Sequence, residues 1–185
     1  MNFLRRAVGM YNACLKTHRL KVQAVQISAL MGMGDVFAQK LVEKQKYDPV
    51  RTLKFMSLGL VLGPVTDKWF MVIDNFFGRE MTLKKGVKKA LLDQAIGNPV
   101  YLTVILGGLS FIEGKDYTET QRVFKENFLD ILLASYMVWP AVQIFNFTLV
   151  PSQYRVLTIQ TVEILWNTYL SWKTHQDELN TSKNF

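Results

Sequence analysis

The stretch YMVWPAVQIFNFTLVPSQYR, residues Tyr136–Arg155, decides the class of fold. It is long and apolar enough to be a membrane helix, because a bilayer crossing takes about 17–25 mainly apolar residues. It also carries a proline, a glutamine and an asparagine inside the apolar run, then a second proline and an arginine at its end. A helix that only had to dissolve in lipid would not need these groups, so they must serve packing or function.

Composition favours a membrane protein over a soluble one. The chain has 185 residues, of which 49% are hydrophobic, and similar apolar windows recur along it. A soluble helical protein of this size would more often show a polar stripe every three to four residues. The net charge is +7, but the basic residues lie between the apolar windows and no basic helix carries interleaved aromatic residues. We therefore predict an integral membrane protein without direct nucleic-acid binding.

The apolar windows predict an all-α integral membrane bundle. Four spans are expected at about 22–41, 52–77, 90–112 and 128–150. A further apolar helix is expected at 156–172, and it is either a fifth crossing or lies partly in the interface. The predicted organisation is therefore a basic N-terminal segment at 1–21, a single transmembrane bundle domain at 22–172 and a polar tail at 173–185.

The segments outside the spans are basic or polar. Residues 1–21 hold five basic residues and no acidic one, as in a mitochondrial presequence or a positive flank on the inner face. We expect this segment to be retained. Gly78–Lys89 is predicted to be a basic loop, and Glu113–Asn127 a polar connection or a short amphipathic helix. The charge bias between loops weakly favours an N-terminus on the matrix or cytosolic side.

Small residues mark the helix faces that are expected to pack closely. Ala24, Ser28 and Gly32 recur every four residues in the first predicted span. Gly59 and Gly63 form a GxxxG pair in the second span. Such stripes let two helix backbones approach each other in lipid, so we interpret them as packing rather than as a site.

Polar residues inside the predicted spans are the candidates for function, since they cost free energy in lipid and usually face the bundle interior or water. The candidate pathway-lining residues are Asp35, Asp67, Lys68, Asp74, Asp93, Gln94, Asn98, Gln143 and Asn146. For each residue alone, a structural hydrogen bond or ion pair between helices is the stronger interpretation. The number of acids in the set favours a hydrated pathway. Lys68 is expected to neutralise a carboxylate of a neighbouring helix.

No constellation in the sequence predicts an enzyme, a cofactor or a metal. Cys14 is the only cysteine, and His18 and His175 lie at opposite ends of the chain. The sequence GMGD at Gly32–Asp35 lacks the rest of a dinucleotide fingerprint. There is also no P-loop and no GxSxG motif. A membrane enzyme therefore ranks third among the functions considered.

The chain resembles the Mpv-seventeen family, which includes a peroxisomal membrane protein of similar mass. The stretches that carry the resemblance are KVQAVQISALMGMGDVFAQKLVE, SLGLVLGPVTDKWFMVIDNFF, LLDQ, WPAVQIFNFTLVPSQYR and WNTYLSWK. They run in order from about Thr17 to His175, and are most similar to the mitochondrial inner-membrane members. The signature positions are Trp139, Pro140, Pro151 and Arg155, followed by Trp166 and Asn167.

The resemblance implies a multi-pass protein of the mitochondrial inner membrane that acts as a weakly selective channel for small metabolites. It also implies links to membrane potential, reactive oxygen, the deoxynucleotide pool and mitochondrial DNA maintenance. The expected partners are the lipid bilayer and small polar or anionic solutes, with a homo-oligomer left open. The alternative is an inner-membrane organiser without transport of its own. Peroxisomal placement is less favoured, because the terminus Ser182–Phe185 is not S-K-L.

Within the quoted stretch, Pro140 lacks a backbone donor and is predicted to kink the fourth span. The kink would turn Gln143 and Asn146 toward the second and third spans, where Asp74 and Gln94 lie. Arg155 is expected either to anchor the last helix at the membrane surface or to pair with an acid there.

Overall fold

A computed structural model of the chain describes residues 2–42, 46–112 and 114–165, and these residues are helical apart from short turns, without a strand. The helices are α1 (Asn2–Phe37), α2 (Pro49–Phe77), α3 (Leu83–Leu92), α4 (Asn98–Ile112) and α5 (Tyr117–Leu149), and residues 155–165 form α6. A π-helical segment, Ala38–Val42, follows α1, and a second one, Asp93–Gly97, joins α3 to α4. The all-α prediction is confirmed for the described residues.

Three helical stretches of the described chain are long and apolar enough to cross a membrane: Pro49–Phe77, Leu83–Ile112 and Tyr117–Leu149. The apolar window of the last is only 11% buried. Apolar side chains without protein cover are what a lipid-facing surface requires, because lipid then takes the place of the core. The predicted first span belongs to α1, which is not among these three, and four or five crossings stay a prediction.

Predicted loop boundaries differ most from the structure before the third span. Residues 83–89 were expected to be part of a basic loop, but they open α3. Thr82 begins this helix, because its side chain accepts a hydrogen bond from the backbone N–H of Lys85. Lysine is a good helix former, so a basic run is no obstacle once the helix is capped. The loop prediction was wrong for these seven residues.

The polar connection before the fourth span is also helical from Tyr117 onward. Asp116 and Glu119 form a capping box, in which the Glu119 N–H donates to Asp116 Oδ1 at 2.8 Å and the Asp116 N–H donates to Glu119 Oε2 at 3.3 Å. From this cap, α5 continues unbroken to Leu149. The predicted boundary near Phe128 is therefore not a helix boundary.

The chain divides into two compact units. The first comprises Met1–Gly63 with Val156–Phe185, and the second comprises Pro64–Arg155. In the first unit, α1 is interrupted at His18, whose φ of −135° and ψ of 45° are not helical. Tyr11 donates a hydrogen bond to Gln26 across this interruption.

The predicted small-residue faces form the contact between α1 and α2 in the first unit. A Cβ atom built on Gly59 would lie 2.7 Å from Ser28 Cα, and one on Gly63 would lie 2.5 Å from the carbonyl oxygen of Gln23. These are backbone atoms that cannot rotate away. Both glycines thus lie where the backbones of α1 and α2 approach each other closely, as the interpretation of packing expects.

In the second unit, α3, the π-helical segment Asp93–Gly97 and α4 pack against α5. The ring of Phe70 in α2 meets the ring of Phe147 in α5 edge to face, with 5.3 Å between the ring centres. Both phenylalanines are buried. This unit contains most of the polar residues that the sequence singled out.

Candidate functional site

Asp93 is the centre of a buried hydrogen-bonded group in the second unit. Its Oδ1 accepts a hydrogen bond from Trp69 Nε1 at 2.7 Å. Its Oδ2 accepts from Gln143 Nε2 at 2.7 Å and from Gln94 Nε2 at 3.2 Å. In the part of the chain that the structure describes, no cationic side chain contacts Asp93. The carboxylate is thus held by three neutral donors from α2, α5 and its own segment.

The group continues along α4 and α5 through side-chain amides. Asn98 Nδ2 donates to Gln94 Oε1 at 3.0 Å and to Ser135 Oγ at 2.8 Å. On the other side, Asn146 Nδ2 donates to Gln143 Oε1 at 3.2 Å. We define the Asp93 network as the residues joined in this way: Trp69, Asp93, Gln94, Asn98, Ser135, Gln143 and Asn146.

One acceptor atom of the Asp93 network has no hydrogen-bond donor among the described residues. Asn146 is fully buried, and its Oδ1 has no hydrogen-bond partner among the described residues. A buried polar atom without a partner costs free energy, so native proteins keep few of them without a reason. The network therefore offers an open acceptor position to a water molecule or a polar solute.

The glycine at position 97 leaves room for the Trp69 side chain beside Asp93. A Cβ atom on Gly97 would lie 2.5 Å from both Trp69 Nε1 and Asp93 Oδ1. The π-helical segment also widens the turn that carries Asp93, a feature that recurs at functional sites. Glycine at position 97 is thus a condition for the contact between Trp69 and Asp93.

A second polar group of this unit is charged. Asp74 Oδ1 accepts from Lys89 Nζ at 2.6 Å, and Arg155 Nη1 lies 2.7 Å from both oxygens of Asp74. Lys89 and Arg155 are only 0% and 1% exposed. We call Asp74, Lys89 and Arg155 the charged triad, which carries two formal positive charges and one negative charge.

Phe147 and the end of α5 line the charged triad. The ring centre of Phe147 lies 5.1 Å from Arg155 Cζ and 6.0 Å from Lys89 Nζ, within the range of cation–π attraction. Arg155 Nε also donates to the carbonyl of Val150 at 3.1 Å. Arg155 therefore closes the end of α5 as well as pairing with Asp74.

The first unit holds a separate polar group around Asp35. Asp35 Oδ2 accepts from Gln39 Nε2 at 2.7 Å and from Thr52 Oγ1 at 2.6 Å. Arg51 Nε lies 2.9 Å from Asp35 Oδ1. Asp48 starts α2 by accepting from the N–H groups of the residues after Pro49. These contacts tie the end of α1 to the start of α2, which is a structural role.

Five of the nine predicted pathway residues lie in the Asp93 network: Asp93, Gln94, Asn98, Gln143 and Asn146. Asp74 lies in the charged triad instead, and Asp67 is buried in α2. Lys68 is exposed and forms no ion pair within the described residues. The expectation that Lys68 neutralises a carboxylate of a neighbouring helix was wrong, because Lys89 and Arg155 neutralise Asp74.

The signature positions are described in part. Trp139 and Pro140 are half-buried, and α5 stays helical through Pro140. Gln143 reaches Asp93 rather than Asp74 or Gln94. Pro151 follows the end of α5, and Arg155 pairs with a buried acid, the second of the two alternatives expected for it. Trp166 and Asn167 lie outside the described residues.

The sequence-based prediction missed Lys89, Trp69 and Ser135. A signal existed for Lys89, since Gly86, Lys89, Ala90 and Asp93 follow the helical spacing of one face. Reading residues 78–89 as a loop hid that spacing. Trp69 and Ser135 are unremarkable in sequence, because their role depends on which helices become neighbours.

Trp69→Phe tests the central hydrogen bond. This change keeps an aromatic ring but leaves Asp93 Oδ1 without its donor, and should lower the free energy of unfolding by about 2 kcal/mol. Thermal unfolding of the purified protein in detergent measures the loss. Trp139→Phe is the matched control, because the Trp139 indole has no hydrogen bond among the described residues. Equal effects of the two changes would contradict the importance of the Trp69–Asp93 contact.

Taken together, three apolar helices of membrane-spanning length and a polar network buried among them define a helical membrane protein. A protein-family model described as the Mpv17 / PMP22 family matches residues 110–171. Much longer matches link the chain to individual relatives, so the chain belongs to the Mpv17 / PMP22 family.

The relatives share most of their length with this chain. The mouse mitochondrial inner membrane protein Mpv17 is 39% identical over 170 residues, which cover 90% of this chain and 96% of the relative. The human protein of the same name is 38% identical with the same coverage. Protein SYM1 of Gibberella zeae is 40% identical over 179 residues, covering 91% and 98% of the two chains. No solved structure matches this chain.

Proposed function

We propose that this protein resides in the mitochondrial inner membrane and provides a weakly selective pathway for small polar or anionic solutes. The relatives named for that membrane and the three apolar helices support the placement. The Asp93 network is the observation that carries the pathway, since it places a carboxylate and four amides in the buried interior of the second unit.

The chemistry of the Asp93 network suits passage better than fixed packing. A carboxylate held only by neutral donors gains no ion-pair energy to offset its desolvation, so it favours nearby water. A side-chain amide can exchange one hydrogen-bond partner for another, because it offers both donors and acceptors. The open Asn146 Oδ1 is one such position. A polar solute can therefore replace one partner at a time as it passes.

Pro140 adds a further acceptor near the Asp93 network. It lacks the N–H that would satisfy the carbonyl one turn earlier, at Tyr136. Such a freed carbonyl is tolerated in membranes where it lines a cavity. Pro140 lies close in sequence to Gln143 of the network.

A pathway of this kind connects the proposal to the physiology of the inner membrane. Conduction by small ions lowers the membrane potential, which in turn alters the production of reactive oxygen species. Passage of deoxynucleotides would support the mitochondrial pool from which mitochondrial DNA is maintained. We propose these roles as consequences of conduction rather than as separate activities.

Asp93→Asn tests the pathway directly. The change keeps the size of the side chain but removes the only formal charge of the network, so single-channel conductance or ion selectivity should change at least about threefold. A threefold change corresponds to about 0.7 kcal/mol in the free-energy barrier to permeation, which is a small effect for the removal of one charge. Purified protein in planar bilayers gives the measurement, with solute-resolved liposome flux beside it. Asp130→Asn, at an exposed position of α5, is the matched control.

Folded wild-type protein that gives silent bilayers and no liposome flux would contradict the pathway. A single stoichiometric complex in native mass spectrometry, without flux, would favour the organiser instead. The GxxxG pair was one argument for association with another protein. Gly59 and Gly63 already contact α1 of the same chain, which weakens that argument.

A further inference from the structure

The charged triad has more positive charge than the protein around it balances. Lys89 and Arg155 face one carboxylate, that of Asp74, and all three side chains are buried. A buried net charge costs several kcal/mol unless a counter-charge or many hydrogen bonds compensate it. Among the described residues, no second acid forms an ion pair with Lys89 or Arg155; Glu80, which is paired with Lys85, attracts Lys89 only at longer range. The triad therefore favours one additional negative charge.

Unused hydrogen-bond donors lie at the same place. Arg155 uses Nη1 and Nε in its bonds, and Lys89 Nζ uses one of its three hydrogens. Nearby, Thr148 Oγ1 is buried and has no hydrogen-bond partner within the described residues. That hydroxyl is so close to Gly86, one turn before Lys89 on α3, that a Cβ atom there would overlap it. Spare donors on Arg, Lys and Thr suit an anion with several acceptor oxygens.

The surrounding sequence strengthens the positive charge at this end of the second unit. Asp74 lies near the end of α2, Lys89 in the last turn of α3, and Thr148 at the end of α5. The connection and helix start between α2 and Lys89 add exposed or half-exposed basic residues at Arg79, Lys84, Lys85 and Lys88, against the single acid Glu80. Such a field attracts anions from the aqueous phase.

We propose that the charged triad, with Thr148, is a binding site for a phosphate-bearing anion. The anion is either a small phosphate solute or the headgroup of an anionic phospholipid, since basic pockets between membrane helices bind both kinds of phosphate. This site goes beyond the pathway through the Asp93 network and does not require conduction.

The experiment compares thermal unfolding midpoints of the full-length protein in nanodiscs. In neutral phosphatidylcholine, inorganic phosphate is titrated at constant ionic strength against chloride. In a second arm, part of the lipid is replaced by an anionic phospholipid without added phosphate. Wild-type protein should gain at least several degrees in one arm. A shift with free phosphate assigns a solute, whereas a shift confined to the anionic lipid assigns a headgroup.

Lys89→Gln should abolish this shift yet stay folded, because Asp74 keeps both contacts to Arg155 Nη1. Lys125→Gln removes the same charge at an exposed position of α5, outside this basic group, and should shift as the wild type does. If Lys89→Gln does not fold, Thr148→Val decides, with an expected loss of affinity of about threefold to tenfold. No shift in either arm, or an unchanged affinity in the decisive variant, would overturn the proposal. Flux is measured separately, so failure of the pathway does not count against the site.

Discussion

Asp74→Asn is expected to destabilise this protein more than any other single change at its polar residues. The substitution removes the only carboxylate of the charged triad and leaves Lys89 and Arg155 buried beside each other without a counter-charge. Breaking a buried ion pair in this way costs about 3–5 kcal/mol. For a chain of this length, that loss lowers the midpoint of thermal unfolding by roughly 6–20 °C.

The measurement is thermal unfolding in detergent, together with the steady-state abundance of the variant in cells. Asp130→Asn makes the same chemical change at an exposed position and should leave the midpoint within about 1–2 °C of wild type, since surface changes of this kind cost little. A second variant separates charge from packing: Lys89→Gln combined with Asp74→Asn should recover part of the loss, because it leaves one unpaired cation instead of two. A wild-type midpoint for Asp74→Asn would show that the triad is not an energetic unit.

Gly63→Val should disrupt the first unit to a similar degree. Any Cβ atom at position 63 meets the backbone carbonyl of Gln23 at 2.5 Å, and a branched side chain adds further overlap with Ile27. The only relief is to separate α1 from α2, which also loosens the contact at Gly59 and Ser28. Overpacking of this kind costs at least about 1–3 kcal/mol, and more where the clash is with backbone.

Gly34→Val is the matched control, since Gly34 lies in α1 of the same unit and a Cβ atom there meets nothing within 4 Å. Valine is a better helix residue than glycine, so this control should be neutral or slightly stabilising. Limited proteolysis and thermal unfolding report the difference between the two variants. Equal behaviour of Gly63→Val and Gly34→Val would mean that the helices do not depend on the close approach at Gly63.

The helical class and the packing faces were predictable because they depend on local patterns. A GxxxG pair and a stripe of small residues indicate which helix faces can approach each other closely. Gly59 and Gly63 lie at such a close approach, between α1 and α2. Helix boundaries were harder to predict. The cap at Thr82 and the capping box at Asp116 extend helices into stretches whose polarity alone suggested loops.

The candidate site was predictable as a set of residues but not as a set of contacts. The search for polar residues inside the predicted spans identified five residues that hydrogen bonds connect in the structure: Asp93, Gln94, Asn98, Gln143 and Asn146. It could not separate Asp74 from them, because the partner Arg155 lies 81 residues away in sequence. Nor could it select Trp69, whose contact depends on the absence of a side chain at Gly97.

The short sequence separation between Asp74 and Lys89 has a consequence for membrane insertion. The two residues are 15 positions apart, so the hairpin of α2 and α3 contains both partners of an ion pair before any later helix is present. A neutralised pair lowers the cost of carrying a carboxylate and an ammonium into lipid during biogenesis. Arg155 then pairs with an Asp74 carboxylate that Lys89 has already neutralised. The last steps of assembly therefore add a second cation to an existing ion pair.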